Sequence, residues 1–68
     1  MNDPIYKRID ITGTSEASIE DAVSNAIKKA NETVRNLRWF EVQEIRGAIN
    51  EDLSTQWQVT VKLGFALE

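Results

Sequence analysis

The sequence predicts an α+β domain in which a three-stranded antiparallel sheet packs on one helix, in the order strand, helix, strand, strand (β-α-β-β). Three observations carry this prediction. Residues 57–67 alternate between apolar and other side chains, residues 19–34 repeat apolar side chains at spacings of three and four, and the short polar segment 50–54 precedes the last strand pattern. A single helix can cover only one face of such a sheet.

Size and composition restrict both stability and function. A chain of 68 residues is one domain, residues 1–68, and a domain of this size buries only about 60% of the surface that its unfolded chain exposes. The absence of cysteine and histidine excludes disulfides, thiolate metal sites and catalysis by either residue. Small domains without such cross-links commonly gain stability by forming oligomers.

The net charge and the hydropathy of the chain restrict the kinds of partner that it can bind. A net charge of -3 with scattered cations provides no basic field for nucleic acid. No apolar run approaches the roughly 20 residues of a membrane span, and the first residues lack the pattern of a signal peptide. We therefore expect a cytoplasmic protein with neither nucleic acid nor membrane as partner.

The first strand is predicted over Ile5–Thr12, after a short flexible lead at Met1–Pro4. Its isoleucines fall on one face and its polar residues on the other, which is typical of a half-buried strand. Lys7 is the one polar residue on the apolar face, and its long stem can reach solvent. The segment Gly13-Thr14-Ser15 is expected to end this strand.

The helix is predicted to begin after Ser18, whose hydroxyl precedes the carboxylate of Asp21 by three residues in the pattern of an N-terminal cap. Its apolar stripe is narrow and contains three alanines, which allow close packing. The stripe comprises Ile19, Ala22, Val23, Ala26, Ile27, Ala30 and Val34. The helix is therefore expected to continue to Arg35, with Asn36-Leu37 as the turn into the second strand.

In the second strand, residues 38–49, the apolar side chains change from even-numbered to odd-numbered positions. Phe40 and Val42 have even residue numbers, whereas Ile45 and Ile49 have odd ones. One extra residue, most simply a bulge near Gln43-Glu44, keeps all four on one face. Trp39 then points to the other face, where this small chain has nothing large enough to cover it.

The outer face, away from the helix, is predicted to carry Tyr6, Arg8, Trp39, Arg46, Gln58 and Ala66. A hairpin centred near Asp52 places Arg46 near Gln58, and Trp39 near Phe65 or Ala66. Trp39 and Gln58 then lie about seven residues apart along the ladder, or about 20 Å. A site that contains both side chains must therefore be formed between subunits.

Five segments carry a resemblance to a known family. They are Gly13-Thr14-Ser15, Ala22-Val23 with Asn25-Ala26, Arg38-Trp39-Phe40-Glu41-Val42, Glu44-Ile45-Arg46-Gly47 and Trp57-Gln58-Val59. In order and spacing they resemble the dodecins, small flavin-binding proteins of bacteria and archaea. The resemblance covers nearly the whole chain. It implies a β-α-β-β protomer that assembles into a hollow homo-dodecamer and binds flavins in stacked pairs between tryptophans of symmetry-related subunits.

The resemblance also implies roles for individual residues. Trp39 would be the stacking tryptophan, Gln58 the amide that hydrogen-bonds the polar edge of the isoalloxazine, and Arg46 a contact to the ribityl or phosphate end. The cofactor would be FMN or riboflavin, with FAD as a further candidate. Some dodecins also bind coenzyme A through a basic residue near the C-terminus. This chain has Ala66 where such relatives have arginine, which counts against coenzyme A binding.

Three functions remain open at this level. The preferred one is a non-catalytic protein for flavin storage, buffering and photoprotection. The second is a flavin-dependent oxidoreductase, which would require a substrate pocket and a proton donor near the flavin N5. The third is a homo-oligomeric structural module without a ligand, in which Trp39 only packs in a subunit interface.

Overall fold

The computed structural model describes residues 3–67, and it confirms the predicted β-α-β-β order. The elements are β1 (Tyr6–Ser15), α1 (Ile19–Ala30), β2 (Leu37–Ile49) and β3 (Thr55–Ala66). The sheet order is β1-β3-β2, and both strand pairs are antiparallel. Of the predicted lead, Met1 and Asn2 lie outside the described residues. Within the described part of the chain, no helix is long and apolar enough to span a membrane.

Helix α1 packs against the inner face of β1 and β3, two of the three strands of the sheet. The largest fully buried side chains are Val59, Val61 and Leu63 of the central strand. They pack against the small residues of the helix, Ala22, Val23, Ala26 and Ala30, which are also buried. The alanine-rich stripe therefore brings the helix close to the sheet, as its composition predicts.

Strand β1 is longer than predicted, because Gly13, Thr14 and Ser15 continue the strand instead of ending it. Thr14 pairs with Gln58 and Ser15 with Trp57. Gly13 passes directly beneath the helix, where a Cβ would lie 2.0 Å from the backbone oxygen of Ala22. The glycine is therefore required by close packing, and the chain turns only after Ser15.

The start of the helix is confirmed, since the Ser18 hydroxyl accepts a hydrogen bond from the Asp21 amide at 3.0 Å. Buried Ser15 reinforces this end. Its hydroxyl donates to Asp21 Oδ2 at 2.7 Å and accepts from the Ala17 amide at 2.9 Å. Ser15 thus joins the end of β1 to the first turn of the helix.

The predicted helix end is wrong: α1 ends at Ala30 instead of Arg35. The amides of Glu32 and Thr33 bond to carbonyls only three residues back, so the chain tightens into turns after Asn31. The β-branched pair Thr33-Val34 has low helix propensity. Asn36, at φ 66, then directs the chain into β2.

The predicted bulge is confirmed, because the register between β2 and β3 shifts between Val42 and Glu44. A second shift, between Leu37 and Trp39, was not predicted. The predicted bulge, between Val42 and Glu44, keeps Phe40, Val42, Ile45 and Ile49 on the inner face, although their residue numbers change from even to odd.

The predicted loop at residues 50–54 closes the hairpin. The Asn50 amide donates to the Ser54 carbonyl at 2.8 Å, and the Leu53 amide donates to the Asn50 carbonyl at 2.9 Å. Asp52 Oδ1 accepts from the hydroxyl and the amide of Ser54 at 2.6 and 3.0 Å. These hydrogen bonds lower the pKa of the exposed Asp52 carboxyl below its usual value.

The inner face of β2 is not covered by the helix, and no residue of β2 is buried. Its apolar residues, which we call the uncovered strip, are Phe40, Val42, Ile45 and Ile49, and they are 41–74% exposed. The radius of gyration is 14.1 Å, whereas a compact domain of this length has one of about 11 Å. The hairpin therefore extends well beyond the helix that protects the core.

Candidate functional site

The outer face of the sheet carries the predicted site residues. The register places Tyr6 opposite Ala66, both Arg8 and Trp39 opposite Gly64, and Arg46 opposite Gln58. Directly paired residues project from the same face of a sheet. The predicted set Tyr6, Arg8, Trp39, Arg46, Gln58 and Ala66 therefore shares this face, as expected.

Trp39 lies across the central strand, with its indole over Gly64. A Cβ added to Gly64 would lie 2.0 Å from Cε2 of the indole, 2.3 Å from Cζ2 and 2.5 Å from Cδ2. Cε2 is bonded to three ring atoms in the plane, so an approach with these distances comes from above the ring. One face of the indole is thus covered by the backbone of Gly64, while the residue Trp39 as a whole remains 37% exposed.

Tyr6 contacts the same indole from the opposite edge strand. The two ring centroids are 6.1 Å apart and the ring planes meet at 72°. This edge-to-face arrangement is a favourable one for aromatic pairs. Trp39 is therefore positioned by a glycine beneath it and a tyrosine beside it.

Gln58 and Arg46 form the second part of the outer face. Arg46 Nε donates to Gln58 Oε1 at 2.9 Å, and the Arg46 guanidinium also forms an ion pair with Glu44. Arginine is a donor only, so Gln58 must present its oxygen to Arg46. The Gln58 amide therefore keeps its two N–H donors for another partner.

The predicted separation of the two parts is confirmed, and one pairing is corrected. Trp39 lies opposite Gly64 instead of near Phe65 or Ala66. The bulge after Val42 adds one unpaired residue to β2, so residues 39–42 of β2 each pair one position earlier on β3 than predicted. Gly64 and Gln58 are six residues apart on β3, or about 20 Å. Trp39 and Gln58 of one chain are thus too far apart to contact the same small ligand.

Sequence reasoning missed the part played by Gly64. A glycine in the middle of a strand of large side chains weakens the strand unless something approaches closely. Gly64 lies among Lys62, Leu63 and Phe65, and this exception to the pattern was the available signal. What approaches is the indole of Trp39.

The described residues, 3–67, contain no group of three or more Asp or Glu side chains placed to hold a metal ion. The candidate residues on the outer face carry aromatic, amide and guanidinium groups instead.

Comparison with known proteins identifies the family. The family model for dodecin matches residues 5–68. The chain is 45% identical over 64 residues to the dodecin of Thermus thermophilus, covering 94% of this chain and 93% of that protein. The chain belongs to the dodecin family. Within that family it is also 30% identical to the calcium dodecin of Mycobacterium tuberculosis, over 93% of this chain and 89% of the relative.

Solved dodecin structures agree with the fold. The dodecin of Streptomyces davaonensis superposes with a TM-score of 0.92 at 43% identity, covering 98% of both chains. The calcium dodecin of M. tuberculosis, a calcium-chelating antigen with a calcium-binding site, superposes with a TM-score of 0.86 at 30% identity, over 94% of this chain and 91% of that one. The family resemblance seen in the sequence is therefore confirmed at the level of the fold.

Proposed function

We propose that this dodecin is a non-catalytic flavin-binding protein that stores, buffers and photoprotects FMN or riboflavin by stacking them against Trp39. One observation carries the proposal: the indole has one face on Gly64, and Trp39 remains 37% exposed on the outer face of the sheet. A flat ring system could stack on the side away from Gly64. The isoalloxazine is flat and electron-poor, and the face of an indole is electron-rich.

Gln58 supplies orientation in this proposal. Arg46 engages its Oε1, so its N–H donors can be directed at the carbonyl oxygens along the polar edge of the isoalloxazine. Arg46 would act first by holding this amide, while its remaining N–H groups can approach the ribityl or phosphate end. FAD, which shares the isoalloxazine, is a weaker candidate because its adenosine adds bulk. Coenzyme A is not part of the proposal, since Ala66 has no cationic side chain.

The distance of about 20 Å between Trp39 and Gln58 requires each flavin to use different copies of the chain. We propose that these copies belong to a hollow homo-dodecamer in which the uncovered strip forms a subunit interface. An open cleft of about 550 Å³ between α1 and β2 is lined by Ile19, Val23, Ile27, Phe40 and Val42, with Glu20, Ser24 and Lys28. Side chains of another copy would fill this cleft and cover the strip.

Assembly can be tested by light scattering. We expect the parent protein to form particles many times heavier than the 7.7 kDa chain at micromolar concentration. Val42→Asp should dissociate or unfold them, because the assembly would bury an unpaired charge. Leu53→Asp is the matched control, since Leu53 is 79% exposed in the hairpin loop, and it should assemble as the parent does. A folded monomeric parent would contradict the proposed assembly.

Simple observations distinguish the three candidate functions. A ligand-free structural module would be colourless as isolated and would bind no added flavin. A flavin-dependent oxidoreductase would oxidise a reduced nicotinamide with turnover. The storage function predicts bound flavin, strong quenching of its fluorescence, and no turnover, because a ring stacked on both sides has little open face for a substrate.

Gln58→Leu is predicted to weaken binding of riboflavin and FMN. The polar edge of the flavin would lose its donor in a closed site, at about 1 to 3 kcal/mol per unpaired group. Gln58→Glu should also weaken binding, because it places a carboxylate against carbonyl oxygens. The measurement is titration by flavin fluorescence quenching, with assembly checked on the same samples. Parental affinity in both variants would remove Gln58 from the site.

A further inference from the structure

Three glycines lie in the strands, and the structure distinguishes them by what a Cβ would meet. At Gly13 it would meet the helix backbone, at Gly47 it would meet only the Gln56 oxygen at an ordinary 3.6 Å, and at Gly64 it would meet the indole of Trp39 at 2.0 Å. None of the three has a positive φ. Backbone conformation therefore does not explain the glycine at position 64.

The contact at Gly64 decides where the indole lies. Any residue with a Cβ would push the ring away from the central strand, since real Cβ atoms do not approach a carbon to 2.0 Å. Tyr6 opposes a shift of the ring toward β1, because it stands at 72° to the indole with the centroids 6.1 Å apart. A displaced ring would tilt or lift away from the sheet.

We infer that Gly64 is a positioning residue for the ligand: its missing side chain lets Trp39 lie face-down on the sheet, so that the opposite indole face is presented for stacking. This inference rests on the proposed flavin function for its binding consequence. The placement of the ring itself does not depend on any ligand. Stacking depends on parallel alignment of the two ring planes, so a tilted indole loses contact with the isoalloxazine.

The test compares Gly64→Ala with Gly47→Ala. Both variants change a strand glycine to alanine, but only the first meets the indole. We expect Gly64→Ala to raise the riboflavin Kd about tenfold, because a tilted indole keeps only part of the stacking contact, and to reduce flavin quenching at saturation. Gly47→Ala should keep the parental Kd and quenching. An affinity for Gly64→Ala equal to or tighter than that of Gly47→Ala would overturn the inference.

A second measurement works without flavin. Gly64→Ala is made in the parent and in Trp39→Ala, and the urea midpoint is measured at one protein concentration. We expect the Gly64 substitution to lower the midpoint when Trp39 is present and to leave it unchanged or raise it when Trp39 is absent. An equal change in both backgrounds would show that Gly64 does not act through the indole. If instead the parent binds no flavin while the coupling is found, the proposed function fails and the positioning of Trp39 stands.

Discussion

Gly13→Ala is expected to destabilise this dodecin more than any other single methyl addition in its strands. The new Cβ would lie 2.0 Å from the Ala22 carbonyl oxygen and 2.8 Å from the Ala26 Cβ. The first contact is with helix backbone, which cannot rotate away as a side chain can. Helix α1 would have to lift from β1, and the core around Ala22 and Ala26, which are 0% and 2% exposed, would open.

Overpacking of a close-packed core typically costs about 1 to 3 kcal/mol, and occasionally more. We place Gly13→Ala at the upper end, on the order of 3 kcal/mol, because backbone is displaced. Urea denaturation at a fixed protein concentration measures the loss, with Gly47→Ala as the control for the change of residue type. A midpoint for Gly13→Ala equal to that of the control would show that the helix does not pack on β1 as closely as described.

Trp39→Ala is expected to have the largest effect on binding. It removes the indole face, and in the proposed assembly each stacked flavin pair loses the tryptophan on both sides. Stacking of a base on an aromatic side chain is worth about 1 to 3 kcal/mol, so we expect the riboflavin Kd to rise by about 5-fold to 150-fold. Quenching of the flavin should also disappear, because the indole is the nearby electron donor.

Trp39→Phe is the matched control for this prediction. Phenylalanine keeps a flat ring above Gly64 but has a smaller and less electron-rich face. It should keep part of the affinity and lose most of the quenching. If Trp39→Ala binds and quenches riboflavin as the parent does, Trp39 serves only as interface packing, and the ligand-free or another ligand-binding function would be favoured.

The fold could be predicted from the sequence where side-chain periodicity is regular. Strand β3 alternates without interruption, and the change of parity between Val42 and Ile45 located a bulge that the register confirms. The helix start was also readable, since Ser18 and Asp21 have the spacing of a cap. These features are local, so a single sequence contains them.

The errors arose where a tertiary contact, or a second local signal, outweighed the pattern used for the prediction. Gly13 resembles a strand end, yet it continues β1 because the helix packs against its bare backbone. Val34 continues the helical spacing, yet the chain has already left the helix after Ala30. The first outcome depends on a contact with a distant part of the chain, whereas the second reflects the low helix propensity of Thr33-Val34, which outweighs the apolar spacing.

The face on which the candidate residues lie was predictable, but the contacts between their side chains were not. The outward placement of Trp39, Arg46 and Gln58 followed from the alternation of side chains along each strand and from the register of the hairpin. The contact of the indole with Gly64 and the hydrogen bond between Arg46 and Gln58 depend on rotamers, which periodicity does not specify. These contacts nevertheless suggest which indole face and which amide atoms are available to a ligand.

The most direct test of the account is a crystal structure of the assembled protein soaked with riboflavin. We expect an isoalloxazine stacked on the indole face of Trp39 that points away from Gly64, with its polar edge at the Gln58 amide of another copy of the chain. Flavin bound away from Trp39, or Trp39 side chains packed on one another with no flavin between them at saturating riboflavin, would contradict it.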